Sequence, residues 1–385
     1  MISYVGMVKG IYFSQIKKEA SYQGAVAKVF DEIKAFENAG YEMRHVNFAP
    51  AETGFRRTHI GKGICAAIPF TYVFSKYEYD RSFDGYDFYY FRFEAADRYL
   101  IKLLKQLRLY NPDSKIIIEF PDYPNTKWMK MPVYLPLLLK DLAVRGKYRR
   151  YIDRFAVLNP VYKEIYGVKT IPYMNGIDVS RIPVRKPVNK PDNDRIDVMG
   201  ISTMFPVHGY DRFIRSLAHY YKEGGKREIV FHIVGDGPGP ELKKYIDLVK
   251  EYNLSERVVF EGRLTGDKLY SLYDKCDLAI EVFAAFRKGL ETSSSLKSRE
   301  YLSVGIPIIT ACNIDILEGE EFKYLLQFEN NESIVDINKV VEFYDKIYSD
   351  ETVETVTGNI RQFAEDHCTY DHTLKDVIEY IKPRN

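Results

Sequence analysis

Two kinds of apolar pattern alternate along the chain. Short runs rich in β-branched and aromatic residues, such as SKIIIEF and EIVFHIVG, are separated by longer segments whose apolar residues recur every three or four positions, such as ADRYLIKLLKQLRL and PELKKYIDLVKEYN. The short runs predict buried strands, and the longer segments predict amphipathic helices. A regular alternation of the two is typical of parallel βαβ units and predicts an α/β fold.

The alternation also predicts two doubly wound domains. It begins with a strand at ISYVGMV, a loop to Gly24 and a helix at AVAKVFDEIKAFENAG. It stops at RIPVRKPVNKPDNDR, where three prolines and little apolar periodicity indicate a linker, and it restarts at RIDVMGI. We therefore predict an N-terminal domain over 1–185, a linker over 186–194, a C-terminal domain over 195–365 and a final helix over 366–385. Such domains bind ligands at the carboxyl edges of their sheets.

Composition places the chain among ordinary globular proteins. With 385 residues and 46% hydrophobic content, it has enough apolar material for two cores. Four cysteines without a short CxxC spacing predict neither a disulfide framework nor a zinc site. Charged residues interrupt the N-terminal segment where a signal peptide needs an apolar core, and no window approaches the roughly 20 apolar residues of a transmembrane helix. We therefore predict a cytoplasmic protein.

The net charge of +1 hides opposite charges in the two halves. Residues 1–190 contain 31 Lys and Arg against 19 Asp and Glu, a balance of +12, which leaves −11 for residues 191–385. A basic half is typical of proteins that meet nucleic acid, phosphorylated substrates or an anionic membrane, and attraction between the two domains is the alternative. The 32 tyrosines are dispersed over strand and helix positions. Their distribution favours packing over base stacking, so we predict no nucleic-acid partner.

One basic segment lies beside an apolar run. The stretch MKMPVYLPLLLKDLAVRGKYRRYIDR contains a run of leucines followed by Arg145, Lys147, Arg149 and Arg150. Such a segment predicts a peripheral contact with anionic lipid at the inner face of the membrane. A buried helix with a basic, solvent-exposed end is the alternative, and both interpretations stay open at this point.

A glycine-rich turn is one candidate for a phosphate site. Gly235, Asp236 and Gly237 follow a predicted strand and precede a predicted helix. Glycines at this position let a ligand approach the backbone amides of a helix start. Gly and Asp also punctuate ordinary βα turns, so this signal alone is weak.

The stretch SSSLKSREYL is a second candidate. Its serine hydroxyls and helix-start amides suit a diphosphate, and Lys297 adds a positive charge. Glu300 lies nearly one helical turn later, where a carboxylate suits the vicinal hydroxyls of a ribose. A surface helix capped by Ser293 or Ser294, with an internal ion pair three residues apart, is the alternative.

Several segments occur in an order that matches a known family. They are SYQGAVAKVFDEIKAFENAGYEM, IPYMNGIDV, FPVHGYDRFIRSL, FHIVGDGPGPELKKYI, RVVFEGRL and KSREYLSVGIPII. In this order and spacing, the chain resembles the family 4 retaining glycosyltransferases of the GT-B fold over nearly its whole length. The resemblance implies two Rossmann-like domains facing each other across a cleft, with the last helix crossing back to the first domain. It also implies transfer of a sugar from a nucleotide diphosphate sugar with retention at the anomeric carbon.

The resemblance further implies roles for individual residues. Glu300 would bind the donor ribose, Arg263 and Leu264 would border the base, and Gly24 would let the first helix approach the diphosphate. The residues assigned to the nucleotide sugar are Gly24, Gly235, Asp236, Gly237, Arg263, Leu264, Ser294, Ser295, Leu296, Lys297 and Glu300. In this family the leaving phosphate takes the proton of the acceptor, so neither a cofactor nor a metal is expected. The Asp192-Asn193-Asp194 motif, which resembles a metal motif of another glycosyltransferase fold, is interpreted as solvated linker.

The chain departs from the family pattern at its acidic pair and at its basic residues. The first glutamate of the family pair would fall at Thr292, and Glu291 lies one position earlier, so Glu291 is the candidate for contact with the transferred sugar. The basic residues of many relatives are missing from GISTMFPVHG. Because a buried diphosphate without cations is costly, we expect Lys297, with Arg299, to supply the charge. His208 is either a turn residue or a phosphate ligand.

A third departure follows the fourth strand. Where relatives often carry a histidine, this chain has Glu119 and Asp122. We predict that both are cleft residues in contact with donor or acceptor, and a routine turn or helix cap is the alternative.

The sequence therefore predicts a metal-independent, hexosyl-type glycosyltransferase of the GT-B fold. Its predicted partners are a nucleotide-sugar donor and a glycan or lipid-linked acceptor, and its predicted pathway is the biosynthesis of a cell-surface polysaccharide. Two alternatives stay open. One is a catalytically degenerate accessory subunit, because the glutamate and the cations are displaced. The other is a nucleotide-sugar epimerase or phosphorylase on the same fold.

Overall fold

The protein consists of two compact α/β units. The computed structural model describes residues 7–16, 23–48, 68, 77–92, 96–120, 123, 135–158, 161–187, 195–237 and 239–383. Unit 1 comprises Met1–Asn175 and Tyr370–Asn385, and unit 2 comprises Gly176–Thr369. Each unit has its own parallel sheet and its own buried core.

Unit 1 is built on a largely parallel sheet. Its described strands are β1 (Lys9–Ser14), β2 (Glu42–Asn47), β3 (Phe88–Arg92), β4 (Lys115–Phe120), β5 (Arg154–Val157), β6 (Glu164–Ile165) and β7 (Val168–Pro172). The described helices that connect them are α1 (Gln23–Asn38), α2 (Arg98–Tyr110) and α3 (Leu135–Val144). The strands follow the order β2-β1-β3-β4-β5-β7-β6, and β6 pairs antiparallel with β7 as a short hairpin. The carboxyl ends of the parallel strands therefore lie at one edge.

Most of the first predicted strand lies outside the described residues. We expected it at residues 2–8, of which the structure describes 7 and 8, and the first described strand, β1, covers Lys9–Ser14, within the predicted loop. A Cβ atom at Gly10 would lie 2.2 Å from the ring of Phe88 on the neighbouring strand. Glycine at this position therefore lets the ring pack against the backbone of β1.

Unit 2 repeats the α/β alternation. Its described strands are β8 (Arg195–Ile201), β9 (Glu228–Val234), β10 (Val258–Gly262), β11 (Leu278–Ile280), β12 (Thr292–Ser293), β13 (Ile308–Thr310), β14 (Asn313–Ile314) and β15 (Leu325–Gln327). Its described helices are α4 (Tyr210–Lys222), α5 (Glu241–Glu251), α6 (Asp267–Lys275), α7 (Leu296–Val304), α8 (Ile337–Asp350) and α9 (Val353–His367). The main sheet has the order β10-β9-β8-β11-β13-β15, and β12 pairs with β14 outside it.

The units divide at a different position from the predicted domains. Residues 176–185, which the sequence analysis places in the N-terminal domain, belong to unit 2. The backbone amide of Ile177 donates to the carbonyl of Cys368 at 2.9 Å, and the buried guanidinium of Arg185 donates to the carbonyl of Cys276 at 2.8 Å. These hydrogen bonds tie the segment to unit 2. Most of the predicted linker, residues 188–194 with the Asp192–Asp194 motif, lies outside the described residues.

The end of the chain returns to unit 1. Two short helices, α10 (Tyr370–Thr373) and α11 (Lys375–Ile381), follow α9. Leu374 and Val377 are fully buried in the same hydrophobic cluster as Phe36 of α1. Their burial explains the apolar spacing of the last predicted helix.

Candidate functional site

Two loops meet at the carboxyl edge of the sheet in unit 2. They follow the neighbouring strands β8 and β11. The backbone amide of Phe283 donates to the carbonyl of His208 at 3.1 Å. Gly209 starts α4 in the left-handed conformation (φ 65°), and a Cβ atom there would lie 2.8 Å from the Phe283 carbonyl carbon. The close contact therefore requires glycine at this position and fixes His208 above the end of β11.

A buried carboxylate organises the start of α7. Glu281, directly after β11, is fully buried and accepts hydrogen bonds from the hydroxyls of Ser293, at 3.2 Å, and of Ser295. Ser295 also caps α7, since its hydroxyl accepts from the amide of Ser298 at 3.3 Å. The cap therefore lies at Ser295, one or two positions after the residues considered from sequence, and Leu296 begins the helix.

Lys297 points its ammonium group at the end of β11. Its Nζ donates to the carbonyl of Glu281 at 3.0 Å and lies 3.0 Å from Nδ1 of His208. A lysine ammonium has three donors, and the third has no hydrogen-bond partner in the described part of the chain. Burial lowers the pKa of Lys297, and the nearby Glu281 opposes that shift. The ion pair with Glu300 that a surface helix would form is absent among the described residues.

Three basic side chains converge at this point. Burial, together with the charges of Lys297 and Lys288, lowers the pKa of His208 to about 2, so the ring is neutral. Lys288 ends a short 3₁₀ helix, Ala285–Lys288, is exposed, and has no ion-pair partner among the residues that the structure describes. Sequence reasoning missed both Lys288 and Glu281. The signal for Glu281 was present, since a lone acid follows the apolar strand DLAI directly.

Glu300 is a carboxylate without a cation. It lies on α7, three residues after Lys297, and is partly buried. Burial raises its pKa, a hydrogen bond with Tyr273 opposes that shift, and no ion pair of its carboxylate is found within the described ranges. A carboxylate has about four acceptor sites, so it keeps acceptors for hydroxyl groups of a ligand.

Arg299 has a different role from the one expected. Its guanidinium is fully buried and lies 2.6 Å from a carboxylate oxygen of Asp315, and it also donates to the hydroxyl of Ser298 at 3.0 Å. An arginine committed to a buried ion pair is not available to a phosphate. Of the two cations considered for the diphosphate, only Lys297 is therefore placed to contact one.

The glycine-rich turn after β9 packs against the turn after β8. A Cβ atom at Gly235 (φ 120°) would lie 1.9 Å from the carbonyl oxygen of Ser202, and one at Gly237 would lie 2.9 Å from that of Met204. The amide of Met204 donates to the carbonyl of Asp236 at 2.8 Å. These glycines are thus explained by contact between the two loops, while the side chain of Asp236 is exposed.

The remaining predicted residues of unit 2 lie at its surface or on a short strand. Arg263 is exposed and Leu264 is partly buried in the loop after β10. Glu291 is exposed, and Asn330 donates to its carboxylate at 3.4 Å. Thr292, at the first acidic position of the family pattern, begins β12 rather than a bulged loop. Glu291 forms no ion pair among the described residues, and its charge contributes to the raised pKa of the Cys312 thiol.

In unit 1, Glu119 belongs to a closed polar cluster. It is fully buried, accepts from Lys28 at 2.9 Å and from Tyr173 at 2.6 Å, and lies 3.9 Å from Arg92. Burial favours its neutral form, but Lys28 and Arg92 outweigh burial and hold its pKa at about 2. A carboxylate enclosed in this way does not reach a substrate, so the contact with donor or acceptor that was predicted for Glu119 is replaced by a structural role.

The other two predicted residues of unit 1 are less informative. Gly24 is the second residue of α1 and is exposed. Asp122 lies outside the described residues. Among the described residues, no group of three or more His, Cys, Asp or Glu is placed to hold a metal ion. No helix in the described part of the chain has the length and apolarity needed to cross a bilayer.

Part of unit 2 is similar to known glycosyltransferase sequences. Residues 195–348 match the family model described as Glycosyl transferases group 1. Protein CapJ from Staphylococcus aureus is 34% identical over 70 residues, which are 18% of this chain and 16% of CapJ. The chain therefore spans only a small part of that relative.

Solved structures match nearly the whole chain. A glycosyltransferase from Rickettsia africae superposes with a TM-score of 0.58 at 13% identity, with 98% of both chains covered. HepE from Anabaena, in complex with UDP, superposes with a TM-score of 0.57 at 12% identity, with 97% of this chain and 99% of HepE covered. Sucrose-phosphate synthase from Thermosynechococcus elongatus superposes with a TM-score of 0.59 at 17% identity, with 97% of this chain and 98% of the synthase covered. These likenesses confirm the predicted GT-B fold with two Rossmann-like domains.

Proposed function

We propose, from the match of residues 195–348 to the family model described as Glycosyl transferases group 1, that the protein transfers a sugar from a nucleotide diphosphate sugar to an acceptor hydroxyl, with retention at the anomeric carbon. The observation that carries the proposal is the pairing of Lys297, with an unused donor, and Glu300, with unused acceptors, on one short helix. The first suits a diphosphate and the second suits a ribose. HepE, of the same fold, has been solved with UDP and with UDP-glucose.

The mechanism follows from where charge develops. When the sugar leaves, negative charge grows on the diphosphate, and fixed positive groups lower the barrier by stabilising that charge. Lys297 supplies a fixed positive charge, and the first amides of α7 supply the free donors of a helix N-terminus. Lys288 adds an exposed cation beside them. The departing phosphate then takes the proton of the acceptor hydroxyl on the same face. The protein contributes position and electrostatics.

A binding experiment tests this proposal. We expect UDP or GDP to raise the melting temperature of the wild-type protein, because selective binding stabilises the folded state by mass action. Lys297→Met is expected to weaken that binding by about 10- to 100-fold, since a charge-assisted hydrogen bond is lost. Lys346→Met, at an exposed position of α8, is the matched control and should bind like wild type. Binding that is equal in all three proteins would contradict the assignment of Lys297.

Hydrolysis of the donor separates an enzyme from an accessory subunit. A transferase given a nucleotide sugar without acceptor is expected to release some free sugar, and Lys297→Met should slow that release together with binding. An accessory subunit releases none. Binding without any release, in the presence of several donor sugars and acceptors, would overturn the enzymatic assignment.

We further propose a glycan or lipid-linked acceptor in the synthesis of a cell-surface polysaccharide, with peripheral contact to the inner face of the membrane. The supporting surface is one face of α3. Leu135, Leu139 and Leu142 are 47%, 58% and 44% exposed, and their spacing of four and three residues places them on one side of the helix. The buried leucines of the helix are Leu137 and Leu138, so the three exposed leucines are not part of the core.

The charges beside this face favour an anionic surface. Residues 135–150, all of which the structure describes, contain one acid, Asp141, which is buried and accepts from the amide of Ala96 at 2.8 Å. Lys147, Arg149 and Arg150 are exposed in the same stretch. An apolar helix face next to unpaired basic residues fits the interface of a bilayer that contains anionic lipid.

Vesicle flotation tests the membrane contact. We expect the wild-type protein to float with vesicles that contain phosphatidylglycerol and to stay behind with pure phosphatidylcholine. Leu139→Gln and the pair Arg149→Glu with Arg150→Glu should each reduce flotation, whereas Lys346→Met should not. Flotation that is unchanged in both variants, or a dimer that dissociates in Leu139→Gln, would assign the face to another partner.

A further inference from the structure

We infer that His208 is a positioning residue that aims Lys297 at the donor diphosphate by accepting a hydrogen bond from its ammonium group. The inference rests on the proposed function and assigns His208 a role that differs from both roles considered from sequence. The observation is the 3.0 Å contact between Nδ1 of His208 and Nζ of Lys297. A charged lysine only donates, so Nδ1 must be the acceptor and the ring proton must be on Nε2.

The surroundings of His208 keep it in that state. The ring is partly buried, and the positive charges of Lys297 and Lys288 oppose protonation, whereas a backbone hydrogen bond to Thr203 favours it without prevailing. A protonated ring would lose its acceptor and would repel Lys297. A phosphate ligand, in contrast, needs a positive or donating ring at this atom. The geometry therefore assigns His208 to Lys297 and not directly to the phosphate.

The backbone around His208 is fixed independently of the ring. Its carbonyl accepts from Phe283, and its own amide donates to the carbonyl of Phe205 at 3.1 Å. Gly209, in the left-handed conformation, sets the entry into α4. A lysine side chain has four flexible carbon–carbon bonds, and two fixed acceptors, the ring and the carbonyl of Glu281, restrict it to one position. Holding the ammonium in place before binding lowers the entropic cost of gripping the ligand.

Three substitutions at position 208 separate positioning from simple packing. His208→Asn places a carbonyl oxygen near the position of Nδ1, His208→Gln places its polar end further out, and His208→Leu has no acceptor. We expect the dissociation constant for UDP or GDP, whichever the wild type binds, to rise about tenfold in the Leu and Gln variants and to stay within about threefold in the Asn variant. Circular dichroism controls for folding, and the Asn and Gln pair carries the test if the Leu variant does not fold.

A double-mutant cycle with Lys297→Met completes the test. If His208 acts through Lys297, the combination His208→Gln with Lys297→Met binds no worse than Lys297→Met alone. Additive losses, or a Gln variant that binds like wild type, would overturn the inference. Both results differ from a failure of the proposed function itself, in which the wild-type protein binds neither UDP nor GDP.

Discussion

Replacing Lys28 by methionine tests the polar cluster that now accounts for Glu119. The ammonium of Lys28 lies 2.9 Å from a carboxylate oxygen of Glu119 and 3.2 Å from one of Glu32, and it donates to Asn175 at 2.5 Å. All three charged side chains are buried in unit 1. Methionine keeps the volume of the side chain but leaves two buried carboxylates with Arg92 as their nearest described cation, 3.9 Å from Glu119.

The expected loss is large. Removing one partner of a buried ion pair costs about 3–5 kcal/mol, because the other charge stays buried without compensation. For a unit of this size, each kcal/mol shifts the melting temperature by about 2–4 °C, so the transition of unit 1 should fall by roughly 6–20 °C. Lys34→Met, at an exposed position of the same helix, is the control and should change stability by less than about 1 kcal/mol.

The dependence of this loss on pH distinguishes electrostatics from packing. Burial and the adjacent Glu119 already raise the pKa of Glu32 to about 7. Without Lys28, both carboxylates bind protons more readily in the folded state, so the unfolding free energy of Lys28→Met should fall as pH rises from 5 to 8. The difference from wild type is therefore smallest at pH 5 and largest at pH 8. Differential scanning calorimetry at both values measures it, and a penalty independent of pH, or below 1 kcal/mol, would refute the reasoning.

Three further changes test other parts of the structure. Glu32→Gln removes a carboxyl whose pKa is raised from 4.5 to about 7. As pH rises through these values, this group should cost the wild-type protein on the order of 3 kcal/mol of stability, and the variant should show no such loss. Urea unfolding at pH 5 and 8 measures the difference. Gly235→Ala forces a Cβ atom to 1.9 Å from a carbonyl oxygen at φ 120°, so thermal unfolding should reveal a loss above about 2 kcal/mol. Arg299→Met should destabilise unit 2 by about 3 kcal/mol by stranding Asp315, yet UDP binding by the folded fraction should be unchanged; a specific loss of binding would return Arg299 to the phosphate site.

The fold was predictable because its signals are local. Strands such as β4 and β9 are apolar runs of nearly the length that the sequence predicts, and helices such as α2 show regular spacing of buried leucines. The position of β1 was not predictable in the same way, because the fit of Phe88 against Gly10 is a contact between residues far apart in sequence.

The location of the candidate site stays a prediction, and the partners of its charged residues were not predictable. Serines, Lys297 and Glu300 at a helix start suit a phosphate and a ribose, but a capped surface helix has the same spacing. The ion pair of Arg299 with Asp315 and the burial of Glu119 beside Lys28 depend on residues that are distant in sequence, and no short sequence motif predicts them. The predicted roles of Arg299 and Glu119 were therefore wrong, because each side chain forms a buried ion pair within its own unit.

His208, in the loop after β8, accepts a hydrogen bond from Lys297 of α7. This contact explains why the absence of a lysine or arginine from the loop after β8 need not weaken the site. A second lysine or arginine at position 208 would bring two cations to about 3 Å, a repulsion on the order of 5 kcal/mol at the effective dielectric of a protein surface. A neutral histidine removes that repulsion and adds an acceptor for Lys297. The positive charge thus moves from the loop after β8 to the start of α7, where it adds to the helix dipole instead of competing with a neighbouring cation.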